Sequence, residues 1–228
     1  MSDQIFIGSP RIEVRLKRNP RAKRFTLRIS RTDGQATLTL PARASIKDAT
    51  GFATEQEQWL RAQLSKLPER TTLIEGGVLP FRGKNLNIVT TTGKSIHISG
   101  GEIYVGSNNS GARLLAFIKT EARNAIVPAV EKNANQIGHP FNRVSLRDTR
   151  SRWGSCSANG SLMFSWRLIM APPIILDYVV AHEVAHLAEM NHSAAFWDVV
   201  RTLMPEYQVH RNWLRENGSN LHAVRFLS

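Results

Sequence analysis

The stretch Asp177-Tyr-Val-Val-Ala-His-Glu-Val-Ala-His186 decides how the fold of this 228-residue chain is interpreted. It contains the pattern His-Glu-x-x-His, and residues four apart in an α-helix lie on the same face. The imidazoles of His182 and His186 can therefore reach one ion, and imidazole nitrogen is a common zinc ligand. Glu183 would project beside that ion, where its carboxylate can accept a proton from water. The stretch predicts a buried helix over residues 173–190 that carries a zinc-dependent hydrolase site.

A catalytic zinc site needs a third protein ligand and one position open to water. We favour His192, six residues after His186, because Met190-Asn191 can end the helix and turn the chain back. Glu189 remains the alternative, since it lies on the predicted helix three residues after His186. The spacing H-E-x-x-H-x5-H matches the metzincins, but Glu189 stands where that class has glycine, so that class is not assigned.

The pattern around this helix predicts an α+β fold. Alternating apolar and polar residues predict strands over 11–17, 24–30 and 35–40, with a hairpin turn at Asp33-Gly34, followed by a helix over 45–67 capped by Ser45. Four short strands are expected within 73–106, then a polar linker over 107–111 and a helix over 112–136. Further strands are expected over 143–147 and 162–166, a Ser193-capped helix to Met204, and a last helix from Pro205 that Gly218 stops. We therefore expect a β-rich basic region over 1–107 and a catalytic core over 108–228.

The residues that flank the motif resemble a known family. Arg152-Trp-Gly-Ser-Cys156, Leu168, Pro172, Asn191-His192-Ser193, Phe196-Trp197 and Met204-Pro205 are similar to the YgjP-like predicted metal-dependent hydrolases, which are related to SprT-like and other zincin metallopeptidases. The resemblance is strong over about 140–215 and weaker in the basic N-terminal strands. It implies a zincin-like catalytic core with His182, His186 and His192 as metal ligands and Glu183 as the catalytic residue.

The net charge of +12 is unevenly distributed, and this bears on partners. Residues 1–50 hold 11 Lys/Arg and 4 Asp/Glu, a net charge of +7, whereas residues 151–228 have no net charge. The leading hypothesis is a zinc metallopeptidase that acts on a peptide or protein. One alternative is hydrolysis of nucleotide phosphoanhydrides by the same Zn²⁺ site, with basic residues holding the phosphates. Another is a nucleic-acid-associated protease that the basic region recruits to DNA or RNA.

Other features narrow the class of protein. Cys156 is the single cysteine, so no intrachain disulfide can form, and we interpret it as a buried thiol. The first ten residues lack a signal-peptide pattern, and the most apolar stretch contains too many charged residues and prolines to span a membrane, so we expect a cytoplasmic protein.

Several residues near the motif have two interpretations. The segment Arg152–Cys156 either lines the cleft as an edge strand that pairs with a peptide, or simply holds a strand against the helix. Asp177 either orients a ligand imidazole or, as we favour, interacts with the helix dipole. Tyr207, His210 and Arg211 are weaker candidates for stabilising an oxyanion, and no ligand role is expected for His97, His139 or His222.

Overall fold

The computed structural model describes residues 4–30, 33–67, 71–73, 76–93 and 95–226. The chain divides into two compact units, Met1–Glu69 and Arg70–Ser228, and each unit has its own hydrophobic core. The fold is α+β, as the sequence predicts.

The first unit is a four-stranded sheet covered on one face by two helices. Its elements are β1 (Gln4–Ile7), β2 (Ile12–Asn19), β3 (Thr26–Ile29), β4 (Ala36–Pro41), α1 (Ile46–Glu55) and α2 (Glu57–Leu64). The strand order is β1-β2-β4-β3, with β2 and β4 parallel and the other pairs antiparallel. Ser45 caps α1 as expected by accepting a hydrogen bond from the Asp48 N–H. The single helix predicted over 45–67 is instead two helices that meet at Gln56.

The second unit combines helices with three small sheets. Its elements are β5 (Thr71–Leu73), β6 (Val78–Phe81), β7 (Lys84–Thr91), β8 (His97–Ser99), β9 (Glu102–Gly106), α3 (Ser110–Ile137), β10 (Arg143–Arg147), β11 (Gly154–Cys156), β12 (Ser161–Ser165), a 3-10 helix (Trp166–Met170), α4 (Pro173–Ala185), α5 (Ala194–Leu203), α6 (Tyr207–Ala223) and β13 (Val224–Phe226). The sheet orders are β6-β7-β9-β8, β10-β12-β11 and β13-β5.

The division between the compact units falls between residues 69 and 70 of the chain, whereas the sequence analysis expects a boundary between residues 107 and 108. The residues in between belong to the second unit by packing, because Leu79 and Ile103 lie in the same core as Leu114 of α3. The residues expected to form a linker, 107–111, make only the short connection between β9 and α3, and α3 already begins at Ser110.

Helix α4 lies at the centre of the second unit. It packs against α3, α5, α6, β11 and the 3-10 helix. Residues from several of these elements, among them Ile126, Leu168, Val180 and Phe196, are fully buried in one core. Such a position fixes the backbone of α4 from several directions, so the side chains on its last turn have a defined orientation.

Helix α6 is longer than the sequence predicts. We expect a stop at Gly218, but the helix continues to Ala223. Gly218 is buried because the indole of Trp153 lies over it, and a Cβ at this position would lie 3.0 Å from the Trp153 Cζ2. The glycine therefore permits close packing instead of ending the helix. None of the helices in the described part of the chain combines the length and the apolar character that crossing a membrane requires.

Candidate metal centre

The last turn of α4 carries the first part of the site. Pro173 stands in the first turn of the helix, where its missing N–H leaves no hydrogen bond unmade. Most of the side chains that follow are buried, including that of Glu183 with 6% exposure. His186 follows the helix as its C-cap, one turn after His182, and the centroids of the two rings are 5.2 Å apart.

The chain leaves α4 earlier than predicted, and this early exit brings His192 to the site. The helix ends at Ala185, not Met190, because the N–H groups of Leu187 and Ala188 donate three residues back, to the carbonyls of Val184 and Ala185, and this tighter pattern closes the last turn. The Glu189 carbonyl is then 3.0 Å from Nδ1 of His186 and accepts its hydrogen bond. The chain reverses, and Nε2 of His192 lies 3.1 Å from Nε2 of His182.

The three histidines form a convergent cluster. One ring nitrogen from each of His182, His186 and His192 lies within 4.8 Å of the corresponding nitrogens of the other two. Because Nδ1 of His186 donates to the backbone, its Nε2 keeps a free lone pair. A backbone partner of this kind fixes the ring orientation of a metal ligand.

This donor set fits a divalent cation that accepts imidazole ligands. Tetrahedral zinc with bonds of about 2.0–2.1 Å places its ligand nitrogens about 3.4 Å apart, close to the 3.1 Å between His182 and His192. Burial, together with the neighbouring His186 and His192, lowers the pKa of His182 to about 3. Burial also lowers the pKa of His186. Both rings are therefore neutral near pH 7 and can donate lone pairs to a cation.

The buried Nδ1 of His182 has no hydrogen-bond partner among the described protein groups. Burial of a polar group without a partner is costly. A cation bound at Nε2 would keep the proton on Nδ1, and this N–H would still lack, among the described groups, the partner that the second ring nitrogen of a metal-ligating histidine usually has.

An aromatic surface supports the three imidazoles. The ring of Phe196 is fully buried, and its centroid lies 5.0, 4.4 and 4.7 Å from those of His182, His186 and His192. Phe196 belongs to the first turn of α5, where its N–H donates to the capping hydroxyl of Ser193. The cap predicted from sequence therefore places both His192 and the ring that packs behind it.

Glu183 lies beside the histidine cluster and against the backbone of β11. A Cβ on Gly154 would lie 2.5 Å from Cγ of Glu183 and 2.6 Å from its Oε1, so only glycine leaves room for this side chain. Burial raises the pKa of Glu183 to about 8, and the nearby charge of Arg152 opposes the rise. The carboxyl group is held in place and can take up and release a proton.

The cluster opens into a cleft of about 610 Å³ between β11 and α4. One wall is the segment Ser151–Cys156, and the opposite side includes Tyr178, Val179, Met190 and Leu214. Strand β11 pairs with β12 on one side and, among the described residues, with no strand on the other. The cleft therefore has one wall of mixed polarity with an unpaired strand edge, a largely apolar wall opposite it, and a polar floor.

The other residues that the sequence places near a site lie elsewhere or only line the cleft. Glu189 contributes its backbone carbonyl, and its carboxylate is outside the metal-binding group. Cys156 is half-buried in the cleft wall, where burial and the charge of Glu183 raise its pKa, and it is also outside that group. Asp177 does not orient a ligand, because Nδ1 of His182 has no partner.

The candidates on α6 lie behind the cluster. Tyr207 is buried and stacks on Trp197 with ring centroids 5.1 Å apart, and the Arg211 guanidinium lies 5.0 Å from the centroid of the same indole. His97 stacks on Tyr104, and His139 is exposed after α3. None of these residues lines the described cleft.

The contact between Gly154 and Glu183, and the contributions of Met190 and Leu214 to the cleft wall, were not predicted from the sequence. The glycine between Trp153 and Ser155 was the available signal, since glycine within a strand often marks close backbone approach. The contacts of Met190 and Leu214 depend on tertiary packing, and no local pattern marks them.

A histidine cluster beside a buried glutamate, at the centre of an α+β unit, is the arrangement of a metal-dependent hydrolase. The model of the YgjP-like metallopeptidase domain matches residues 23–217, and the chain therefore belongs to this family. Membership implies a divalent metal ion.

Comparison with solved structures and curated sequences adds two findings. The chain is similar to the metallopeptidase zymogen abylysin of Pyrococcus abyssi, with 19% identity and a TM-score of 0.36 over 40% of this chain and 93% of that chain. No curated protein sequence matches the chain.

Proposed function

We propose that the chain is a zinc-dependent metallopeptidase in which His182, His186 and His192 hold the ion and Glu183 is the general base. The observation that carries this proposal is the convergence of three imidazoles beside a buried carboxyl group on the floor of an open cleft. Zinc is the proposed metal because it suits imidazole ligands and uses three protein ligands in catalytic sites.

The residues of the site divide the chemistry between them. A bound zinc ion supplies Lewis acidity, which polarises a carbonyl group and makes water more acidic. The Glu183 carboxylate accepts a proton from the attacking water and returns it to the nitrogen of the leaving amine, so that water and a peptide become an acid and an amine. Gly154 and the wall of the cleft hold that carboxylate beside the reacting atoms.

The lining of the cleft favours a peptide over a nucleotide. An extended peptide can pair with the free edge of β11 through its backbone and place side chains against Val179, Met190 and Leu214. A nucleoside triphosphate needs several cations around its phosphates, but Arg152 is the one Lys or Arg among the described lining residues. The basic excess of the chain lies mainly in residues 1–50, outside the unit that holds the cleft.

A matched pair of variants tests the role of Glu183. Glu183→Gln keeps the size of the side chain and removes the base, so we expect one zinc per chain and a loss of about 10²–10⁴ in peptide hydrolysis. Glu189→Gln makes the same change near the site and should keep both zinc and activity, because its carboxylate is outside the histidine cluster. Hydrolysis by Glu183→Gln at the wild-type rate would contradict the proposal.

The substrate class needs parallel assays on one preparation. Unfolded casein and a mixed peptide library measure peptide-bond cleavage, and ATP with phosphate detection measures phosphoanhydride cleavage. We expect chelator-sensitive cleavage in the peptide assays alone. Chelator-sensitive phosphate release that Glu183→Gln abolishes would replace the peptidase proposal with the nucleotide alternative.

A further inference from the structure

The sheet of the first unit has an open face opposite its helices. Strand register places outward-facing residues in two rows across this open face: Gln4, Arg15, Thr37 and Arg28 in one, and Lys17, Thr39 and Thr26 in the next. Phe6 and Glu13 are paired at one end of it. The alternate residues Val14, Leu38 and Leu40 point to the other face and are fully buried.

The open face is positively charged and its cations are available. Arg15, Lys17 and Arg28 are all exposed, the two rows contain no carboxylate, and Glu13 lies beside Phe6 at one end of the face. Within the described part of the chain, no ion pair or hydrogen bond engages the side chains of these three cations. Arg18 differs, because its guanidinium donates to the carbonyls of Ala42 and Ala44 at the end of β2.

The spacing of the cations suits a polymer with regularly placed charges. Arg15 and Lys17 are two residues apart on one strand, which corresponds to about 6.6 Å, and Arg28 is two strands away from Arg15, or about 9.6 Å. The hydroxyls of Thr26, Thr37 and Thr39 lie between them and can donate hydrogen bonds to phosphate oxygens. Phe6 is 51% exposed and offers its ring to an unpaired base.

We propose that this open face binds single-stranded nucleic acid through the phosphodiester backbone, with one base stacked on Phe6. An anionic membrane fits less well, because electrostatic recruitment to lipid uses clusters of about 4–8 Lys/Arg, and the open face carries Arg15, Lys17 and Arg28 alone among its described residues. The binding is independent of sequence, since the contacts go to phosphate and to the flat surface of a base. This proposal is also independent of the peptidase activity.

Binding of the full chain to a fluorescein-labelled oligo(dT) of 15 nucleotides, followed by anisotropy at several salt concentrations, tests the proposal. Three phosphate contacts on a single strand predict a slope of log K against log salt of about −2, so affinity should fall roughly 20-fold between 50 and 200 mM salt. In the variant Arg15→Gln/Lys17→Gln/Arg28→Gln, the slope of log K against log salt should change from about −2 to about zero. Phe6→Ser should weaken binding of the oligonucleotide about 5- to 100-fold.

A matched control variant distinguishes binding by this face from a general effect of the protein's net charge. Lys119, Arg123 and Arg143 are exposed on α3 and β10 of the second unit, so Lys119→Gln/Arg123→Gln/Arg143→Gln removes the same three charges elsewhere. We expect this control to bind oligo(dT) as the wild type does. The proposal fails if both triple variants lose affinity equally, if Arg15→Gln/Lys17→Gln/Arg28→Gln binds normally, or if poly-glutamate of equal charge competes as well as unlabelled oligo(dT).

Discussion

Replacing Gly154 with alanine should displace the Glu183 carboxylate while leaving the histidine cluster intact. The added Cβ would lie 2.5–2.7 Å from Cγ, Oε1 and Cδ of Glu183, whereas carbon atoms in contact prefer about 3.5–4.0 Å. The side chain of Glu183 must therefore move away from residue 154 by about 1 Å. Gly154 is not among the glycines with positive φ, so alanine brings no backbone strain of its own.

The size of the effect follows from this geometry. A displacement of about 1 Å of a catalytic group can cost about 100-fold in rate, and overpacking in a buried site costs about 1–3 kcal/mol. We therefore expect Gly154→Ala to lower kcat about 100-fold and to destabilise the protein by about 1–3 kcal/mol. The zinc content should remain at one per chain, because Gly154 contacts Glu183 and not a histidine.

A double-mutant cycle distinguishes this positioning role from a general structural one. Urea unfolding in the presence of chelator gives the stability of the wild type, Gly154→Ala, Glu183→Ala and the double variant without a contribution from metal binding. In the Glu183→Ala background the clash is absent, so Gly154→Ala should be neutral or slightly stabilising. Gly51→Ala is the control, because nothing lies within 4 Å of a Cβ at that position on α1. Equal destabilisation by Gly154→Ala in both backgrounds would refute the reasoning.

Two further predictions concern histidines. His192→Ala should weaken zinc binding by more than the roughly 10–100-fold that loss of an outer-shell partner costs, as measured by competition with a chromogenic chelator; unchanged affinity would assign the third ligand to Glu189. His222 stacks on Trp153 and is half-buried; this burial and the charges of Arg167 and Arg150 lower its pKa from 6.5 to about 4, against the opposing charge of Asp148. Below pH 6.5 this histidine is protonated in the unfolded chain but still neutral in the folded chain. The free energy of unfolding therefore falls as the pH is lowered from 6.5 to about 4. The melting temperature of His222→Gln should fall less between pH 7.5 and pH 5 than that of the wild type. An equal fall in the two proteins would contradict the assignment to His222.

Local patterns in the sequence predict much of the fold. Period-two alternation identifies β2, β4 and β10, and the turn signal at Asp33-Gly34 identifies the antiparallel pair of β3 and β4. Ser193 predicts the start of α5, and the helix expected to reach Met204 runs from Ala194 to Leu203. These features depend on residues that are close together in the chain.

The parts that the sequence analysis misses depend on distant residues. Strands β5 and β13 have three residues each, which is too short to show an alternating pattern, and β5 pairs with β13 from the other end of the second unit. Gly218 has the local signal of a helix end, but the ring of Trp153 decides its role.

The site shows the same division between local and distant information. The spacing of His182 and His186 indicates that the two rings share a face. The sequence leaves His192 and Glu189 open as the third ligand, because the answer depends on where α4 ends. The structure favours His192, since the turn after Ala185 directs the Glu189 carbonyl toward His186 and brings His192 to His182.

The pairing of β5 with β13 has a practical consequence for protein engineering. Val224 lies opposite Thr71, so the two ends of the catalytic unit are neighbours. The C-terminal strand is anchored by Phe226, which packs edge-on against Trp166, and by Arg167, which donates to the carbonyls of Leu221 and Val224. Truncation of the chain after α6 would leave β5 without its partner. A circular permutant that joins these ends would need a crossover connection of about a dozen residues, because β5 and β13 are parallel.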